Sequence, residues 1–424
     1  MEKEDLTMAE TENSSVPTPA SASAPNDGGE SRKREREEEP LAAVEEDGAE
    51  ANGTGNHTDG GASRKRAKES ETESNTSLGK SGGEVVLTEQ EAAIYDRQIR
   101  VWGVEAQRRL SKARVLVVGA SGVIAETCKN IVLAGIGSLT LLDDRPVTAE
   151  AASTNFLIYP EDIGSERNST ATVCATSLRE YNPMVNVGIQ KGNILDRPEE
   201  FFDNFDAVIL DKASLSVKKH VNAVCRSRPQ KVAFYAVDCR YSCGSFFVDL
   251  QTVTYTSKKK AAAEATEDIK KFPSLEEALS VRLGSLPRRT SNALFATRIV
   301  DEFEDREKRQ PGQISSEDLP ILLEFAREYL KSQGSSLSKP VEKLLQRIAD
   351  AGSSELPPVS AIMGGILGQE IIKASSCKGE PLRNYFFFDT SDGKGIIEDI
   401  PPQSAPPVKE IVEPVPAPQI VDLD

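Results

Sequence analysis

A chain of 424 residues with 67 acidic and 51 basic side chains carries a net charge of −16, which counts against nucleic acid as a partner, and it has no apolar run long enough to span a bilayer. The acidity sits at the ends: residues 1–84 hold 20 acids against 10 bases and no aromatic residue, and residues 401–424 hold four acids, one lysine and seven prolines, so only about −3 falls on 85–400. Such ends cannot bury enough apolar surface to offset chain entropy, so 1–84 and 401–424 are expected to be disordered tails around a folded body at 85–400.

Two basic clusters, 32–36 and 64–68, interrupt the acidic N-terminal segment. Short Lys/Arg runs of this kind read as nuclear-import signals, the alternative being an ordinary charged tail. Nuclear residence, with some cytoplasmic protein, is the expectation. The six cysteines, at 128, 174, 225, 239, 243 and 377, form no C-x-x-C pair, and only His57 and His220 are present. A zinc site is therefore not expected, and free thiols of a reducing compartment are.

From Thr88 to Lys112 the apolar spacing is helical, with Gly103 placed to break the helix and Trp102 to pack it. The run 114–118 is apolar throughout, as in a parallel strand covered on both faces. A glycine turn, Gly119-Ala120-Ser121-Gly122, leads into a helix that Gly135 should stop. A second strand at 138–142 ends on Asp143-Asp144. Strand, glycine turn, helix, strand and terminal acid open a nucleotide-binding α/β sheet.

Next come an irregular segment at 145–165, a helix at 166–180 closed by Asn182-Pro183, a strand at 185–189 and a turn at 198–204. A strand at 205–210, a helix at 214–227 and a strand at 231–237 continue the alternation, which predicts an α/β, Rossmann-like, doubly wound mixed sheet. Residues 243–255 alternate like antiparallel strands at its end. The Lys- and Ala-rich stretch 257–270 is expected to be a mobile charged loop. A helical part fills 275–350, and a long helix from Pro357 to Lys373 contains Gly364, Gly365 and Gly368. Three glycines weaken a helix unless another element packs closely on them. Strands at 385–389 and 395–398 end the body.

The glycine turn is eroded. Counting G-x-G-x-x-G from Gly119, Ser121 and Ile124 stand where the second and third glycines would be, while Gly122 keeps the turn permissive. Asp143 stands where an acid would hold a ribose. The expectation is a nucleotide-type core used as structure, with no cofactor held by this chain alone.

The run Tyr95-Asp96-Arg97-Gln98-Ile99-Arg100-Val101-Trp102-Gly103, then Arg114–Gly119, Asn130–Gly135, Asn182–Val185, Phe201–Val208, Pro358–Ala374, Asn384–Asp389 and Gly393–Glu398, resembles the ubiquitin-activating enzyme family and its ThiF-type adenylation fold. Within it the likeness is to the smaller, non-thiolating subunits of the heterodimeric SUMO-activating enzyme. The catalytic halves of that family place an Asn and an Asn-Arg-Gln cluster around ATP. Here Ala151, Ser153, Thr154 and Asn155 occupy those positions ahead of Phe156-Leu157, and the arginine is gone. The resemblance implies a larger thiolating partner that holds ATP and Mg2+, activates the SUMO C-terminal glycine, forms the thioester and serves the SUMO-conjugating enzyme. It also implies that Arg97 reaches across to the partner's ATP; the alternative is a helix-surface arginine in a salt bridge. Cys239 and Cys243 lie in strand-like sequence and are not expected to be nucleophiles.

Ile420, Val421 and Leu423, with Asp422 and Asp424, read as a SUMO-interacting motif or as an incidental tail pattern. Three other functions remain in view. An NAD(P)-dependent oxidoreductase needs an intact fingerprint. A homodimeric adenylating enzyme needs the missing Asn-Arg-Gln cluster. The corresponding subunit for the Nedd-type modifier carries a large insertion for which 257–290 is too short.

Overall fold

The chain divides into two units, Met1–Gly79 and Lys80–Asp424. The structure, a computed structural model, describes residues 88–164, 168–257 and 266–401, all in the second. The basic clusters and the motif at Ile420, Val421 and Leu423 lie outside the described residues.

An N-terminal arm comprises α1 (Glu89–Ile94), α2 (Asp96–Trp102) and α3 (Val104–Leu110). Gly103, at φ +90°, makes the break between the last two, because few side chains adopt that backbone conformation. The β–α alternation follows: β1 (Arg114–Val118), α4 (Gly122–Leu133), β2 (Ser138–Leu142), α5 (Ala149–Thr154), α6 (Thr170–Tyr181), β3 (Asn186–Gln190), β4 (Ala207–Asp211), α7 (Leu215–Ser227) and β5 (Ala233–Arg240). Residues 199–204 form a 3-10 helix. The antiparallel strand β6 (Cys243–Asp249) comes next, and β9 (Tyr385–Asp389) and β10 (Lys394–Glu398) complete an eight-stranded sheet in the order β10-β9-β6-β5-β4-β1-β2-β3. Strands β3, β2, β1, β4 and β5 are parallel.

The sheet is covered on both faces, which explains its unbroken apolar strands. Val115 and Val117 of β1 point to the layer built with α4 and α6, while Leu116 between them points to the layer that includes α7. All three are fully buried, worth roughly 1.5–3 kcal/mol each. Gly135 takes φ +82° at the end of α4 and stops it, as its sequence position suggests.

Two expectations need correction. The segment 145–165, expected to be irregular, carries α5, capped by the Thr148 hydroxyl, which accepts the Ala151 N–H at 3.1 Å. The loop expected at 257–270 is partly strand. The strand β7 (Thr252–Ser257) leaves the main sheet and pairs with β8 (Thr266–Lys271), so the second half of the stretch expected to be a loop is a strand; 258–265 lie outside the described residues. The ribbon buries Tyr255 of β7 and packs Val253 on the core, while Ile269 of β8 is exposed, so the apolar residue of β8 does not mark its inner side. Contacts from outside hold it: Thr256 N–H donates to the Cys377 carbonyl at 3.0 Å, and Lys270 pairs with Glu380 at 2.7 Å.

Helices α8 (Leu275–Ser280), α9 (Asn292–Arg306), α10 (Leu319–Ser332) and α11 (Lys339–Ala351) make the helical part, which has its own apolar cluster. A buried ion pair ties it to the sheet: Arg240 donates to both carboxylate oxygens of Glu304 at 2.7 Å and to Asp238 at 2.9 Å. The last helix, α12 (Pro357–Ser376), lies on α4. A Cβ on Gly364 would stand 2.5 Å from Glu126 Cβ, and one on Gly368 3.0 Å from Asn130 Cβ, whereas Gly365 faces open space. Two of the three glycines thus serve close packing.

Candidate functional site

In an open α/β sheet, ligands bind beyond the carboxyl ends of the strands where the strand order reverses. Here that point lies between β1 and β4, at the glycine turn. Gly119 has φ +99°, and a Cβ there would fall 2.6 Å from Asp211 Cβ. Asp211 ends β4 with one carboxylate oxygen accepting the Ser121 N–H at 3.1 Å and the other accepting the Ser121 hydroxyl at 2.9 Å. Glu355, ahead of α12 and buried, accepts the Val123 N–H at 3.3 Å and the Ser360 hydroxyl at 3.1 Å. A Cβ on Gly122 would stand 2.6 Å from the same Glu355 oxygen. Backbone N–H groups at a helix N-terminus are where a nucleotide's phosphates would sit. In this chain two of its own carboxylates hold them.

The surrounding charges are matched in the same way. Lys212, next to Asp211 and at φ +43°, pairs with Glu355 at 2.9 Å and donates to the Ser353 carbonyl at 2.9 Å. Asp143, placed by the sequence as a ribose acceptor, instead takes Arg145 on both oxygens, at 2.9 and 2.6 Å. Burial and the Glu355 charge push the Asp211 carboxyl up to about 7, although Lys212, Arg145 and the Ser121 hydrogen bond oppose the shift. Asn155 is buried, donating to the Ala120 carbonyl and accepting from Leu157 N–H, both at 2.9 Å. A phosphate placed here would meet two carboxylates, with the nearby cations already committed. The residues do not fit a nucleotide, and the same arrangement opposes a nicotinamide dinucleotide. Ile124 is fully buried and packs into the core.

The arm is built differently. Tyr95 is buried with its ring over Gly135, where a Cβ would stand 2.4 Å from the ring carbon Cζ. Its hydroxyl accepts from Asn182 Nδ2 at 2.8 Å, and the same nitrogen donates to the Val132 carbonyl at 2.8 Å. Gln98 donates to the Leu133 carbonyl at 3.1 Å. Trp102, partly buried, donates to Gln107 at 2.9 Å. Tyr95 and Gln98 thus clamp α2 to the end of α4. Arg97, between them in sequence, is exposed and makes no side-chain hydrogen bond or ion pair with the described residues. The neighbouring Arg100 pairs with Asp96 at 2.9 Å.

Neither thiol of the β5–β6 pair is poised to react. Cys239 is buried with its thiol pushed far up, and burial pushes Cys243 up to about 12, so little thiolate forms at neutral pH. Sequence reading missed Asp211, Lys212, Arg145 and Glu355. The position of Asp211 at the carboxyl end of an apolar strand was an available signal; Glu355 offered none.

The fold and this filled crevice define a nucleotide-type α/β protein that has made its own anion site internal. The family profile of ThiF matches residues 95–407, and the chain belongs to the ThiF family. The protein named SUMO-activating enzyme subunit 1B-1 from Arabidopsis thaliana is 51% identical over 314 residues, covering 74% of this chain and 97% of that protein. Those named SUMO-activating enzyme subunit 1 from Xenopus laevis and Homo sapiens are 35% and 34% identical, covering 74% and 75% of this chain and 97% of each relative.

Proposed function

We propose that the chain is the non-thiolating subunit of a heterodimeric SUMO-activating enzyme. The observation that carries this reading is the likeness, over nearly their whole length, to proteins named SUMO-activating enzyme subunit 1. The internal carboxylates at the glycine turn support placing the working ATP and Mg2+ in the larger subunit. That subunit would adenylate the SUMO C-terminal glycine, form the thioester on its own cysteine and pass SUMO to the conjugating enzyme. The contribution of this chain is Arg97, held on a clamped helix with its guanidinium uncommitted. A guanidinium delivered across an interface neutralises triphosphate charge through paired N–H donors with little reorganisation. Work in the nucleus, with some cytoplasmic protein, accords with the basic clusters of the N-terminal segment.

The test is SUMO-dependent ATP–pyrophosphate exchange by the purified chain, by the larger subunit, and by the two together. Exchange is expected only when both are present. Exchange by this chain alone, or none from the pair, would overturn the proposal.

A further inference from the structure

The helical part and the last two strands enclose an open groove of about 1090 Å³ that shares no lining residue with the crevice at Ser121 and Asp211. Five cations stand on its walls: Arg288 and Arg289 ahead of α9, Lys339 and Lys343 at the start of α11, and Lys394 at the start of β10. All five are exposed, and none makes a side-chain hydrogen bond or ion pair with the described residues. A sixth, Arg347, is held by Asp389 at 2.9 Å. Of the other acids in the lining, Asp392 accepts the Lys394 backbone N–H at 3.1 Å, so Asp392 and Glu342 stand against the five and the rim keeps an excess of positive charge. Both α9 and α11 begin at the groove, so their positive ends add to its potential.

The floor is not that of a phosphate site. Leu344 and Phe387 are buried in it and Ile396 is half-buried, so the groove pairs an apolar base with a cationic rim. That combination suits a peptide in which acidic and aliphatic residues alternate. One carboxylate of the chain already uses the rim: Glu398 accepts the N–H of the groove-lining Ser291 at 2.6 Å. From Glu398 the chain runs to Pro401, the last described residue, and continues into Lys409-Glu410-Ile411-Val412-Glu413 and Ile420-Val421-Asp422-Leu423-Asp424.

We propose that the segment 408–424 docks in this groove of its own chain, its acids on Lys339, Lys343 and Lys394 and its aliphatic residues on the Leu344–Phe387–Ile396 floor. Eight residues lie between Pro401 and Glu410, a reach of roughly 30 Å when extended. A short tether of this kind gives an effective concentration on the order of millimolar, so modest contacts suffice. Docking would hide Ile420–Asp424, the stretch that reads as a SUMO-interacting motif, until another acidic segment displaced it.

The test is zero-length carbodiimide cross-linking of the full chain, read by mass spectrometry, which joins carboxylates only to amines in contact. Links from Glu410, Glu413, Asp422 or Asp424 are expected on Lys339, Lys343 and Lys394, and are expected to fade as salt is raised. Links absent, or scattered evenly over the lysines, would overturn the proposal. A labelled 408–424 peptide provides the second arm. It is expected to bind at least tenfold more tightly to the full chain carrying Glu410→Gln, Glu413→Gln, Asp422→Asn and Asp424→Asn than to the unaltered chain. Adding Lys339→Glu, Lys343→Glu and Lys394→Glu is expected to abolish that binding. Equal binding to the neutral-tail and unaltered chains would show a groove open to acidic segments of other proteins, and would equally overturn self-docking.

Discussion

Ser121 gives both its backbone N–H and its hydroxyl to one carboxylate, that of Asp211, at 3.1 and 2.9 Å. The residue that spoils the glycine fingerprint is therefore the one that brings an acid into the place of a phosphate. The two changes act together: without Asp211 the Ser121 N–H would be free, and without Ser121 the carboxylate would lose its hydroxyl donor.

This carboxylate makes stability depend on pH. Its ordinary value is 3.8, and burial with the nearby Glu355 charge raises it to about 7 in the folded chain. Between those values the folded chain holds a proton that the unfolded chain has released. The contribution of Asp211 to stability therefore falls as pH rises from about 4 to about 7 and is level above that. Asp211→Asn cannot ionise and lacks this dependence. The melting temperature of Asp211→Asn minus that of the unaltered chain is expected to grow from pH 5 to pH 8. A constant difference in calorimetry would contradict the assignment.

Losing Arg97 should affect chemistry and not the fold, because its side chain is exposed and makes no hydrogen bond or ion pair with the described residues. Arg97→Ala is expected to assemble with the larger subunit and melt like the unaltered protein, while single-turnover adenylate formation slows about 30- to 1000-fold, corresponding to roughly 2–4 kcal/mol of lost charge stabilisation. Arg97→Lys should recover little, since an ammonium lacks the planar fork. Equal adenylation rates at saturating ATP would make Arg97 a mere surface residue.

The clamp beneath Arg97 can be graded. Tyr95→Phe strands one buried N–H of Asn182, which costs about 1–3 kcal/mol. Gly135→Ala must evict the Tyr95 ring and hold alanine at φ +82°, so it should cost more. Urea midpoints of the two variants read the order directly; a milder Gly135→Ala would show that the ring is not seated there.

The glycines of α12 supply an internal control. Gly365→Ala faces open space and should be neutral or stabilising by up to about 1 kcal/mol, the ordinary gain of alanine in a helix. Gly364→Ala drives a methyl to 2.5 Å from Glu126 Cβ and should destabilise by about 1–3 kcal/mol. Matching thermal melts for the two would refute the close packing.

The β–α alternation was legible because parallel strands covered on both faces are apolar throughout, and position announced the roles of Gly135, Gly364 and Gly368, though not that Gly365 faces open space. The crevice was not legible. Ser121 meets Asp211 across 90 residues and Val123 meets Glu355 across 232, and no local pattern encodes such pairs. The core was expected to serve as structure, but the partner of Asp143 was not legible, because nothing in the sequence says that Arg145 folds back to take both its oxygens. The strand β8 was missed because its half-buried positions, Thr266, Asp268 and Lys270, are polar or charged and its one apolar residue, Ile269, faces outward.

The packing of α12 on α4 has a consequence for how the protein is made. The apolar layer over β1 and β2 is closed by a helix that leaves the ribosome long after them. At synthesis rates of about 5–20 residues per second, the 232 residues between Val123 and Glu355 take roughly 10–50 s to appear. For that interval the outer side of α4, which will receive Gly364 and Gly368, is without its cover. A nonsense codon anywhere before 357 would therefore leave the earliest-made layer unsealed, with an aggregation-prone surface in place of a shortened but folded product.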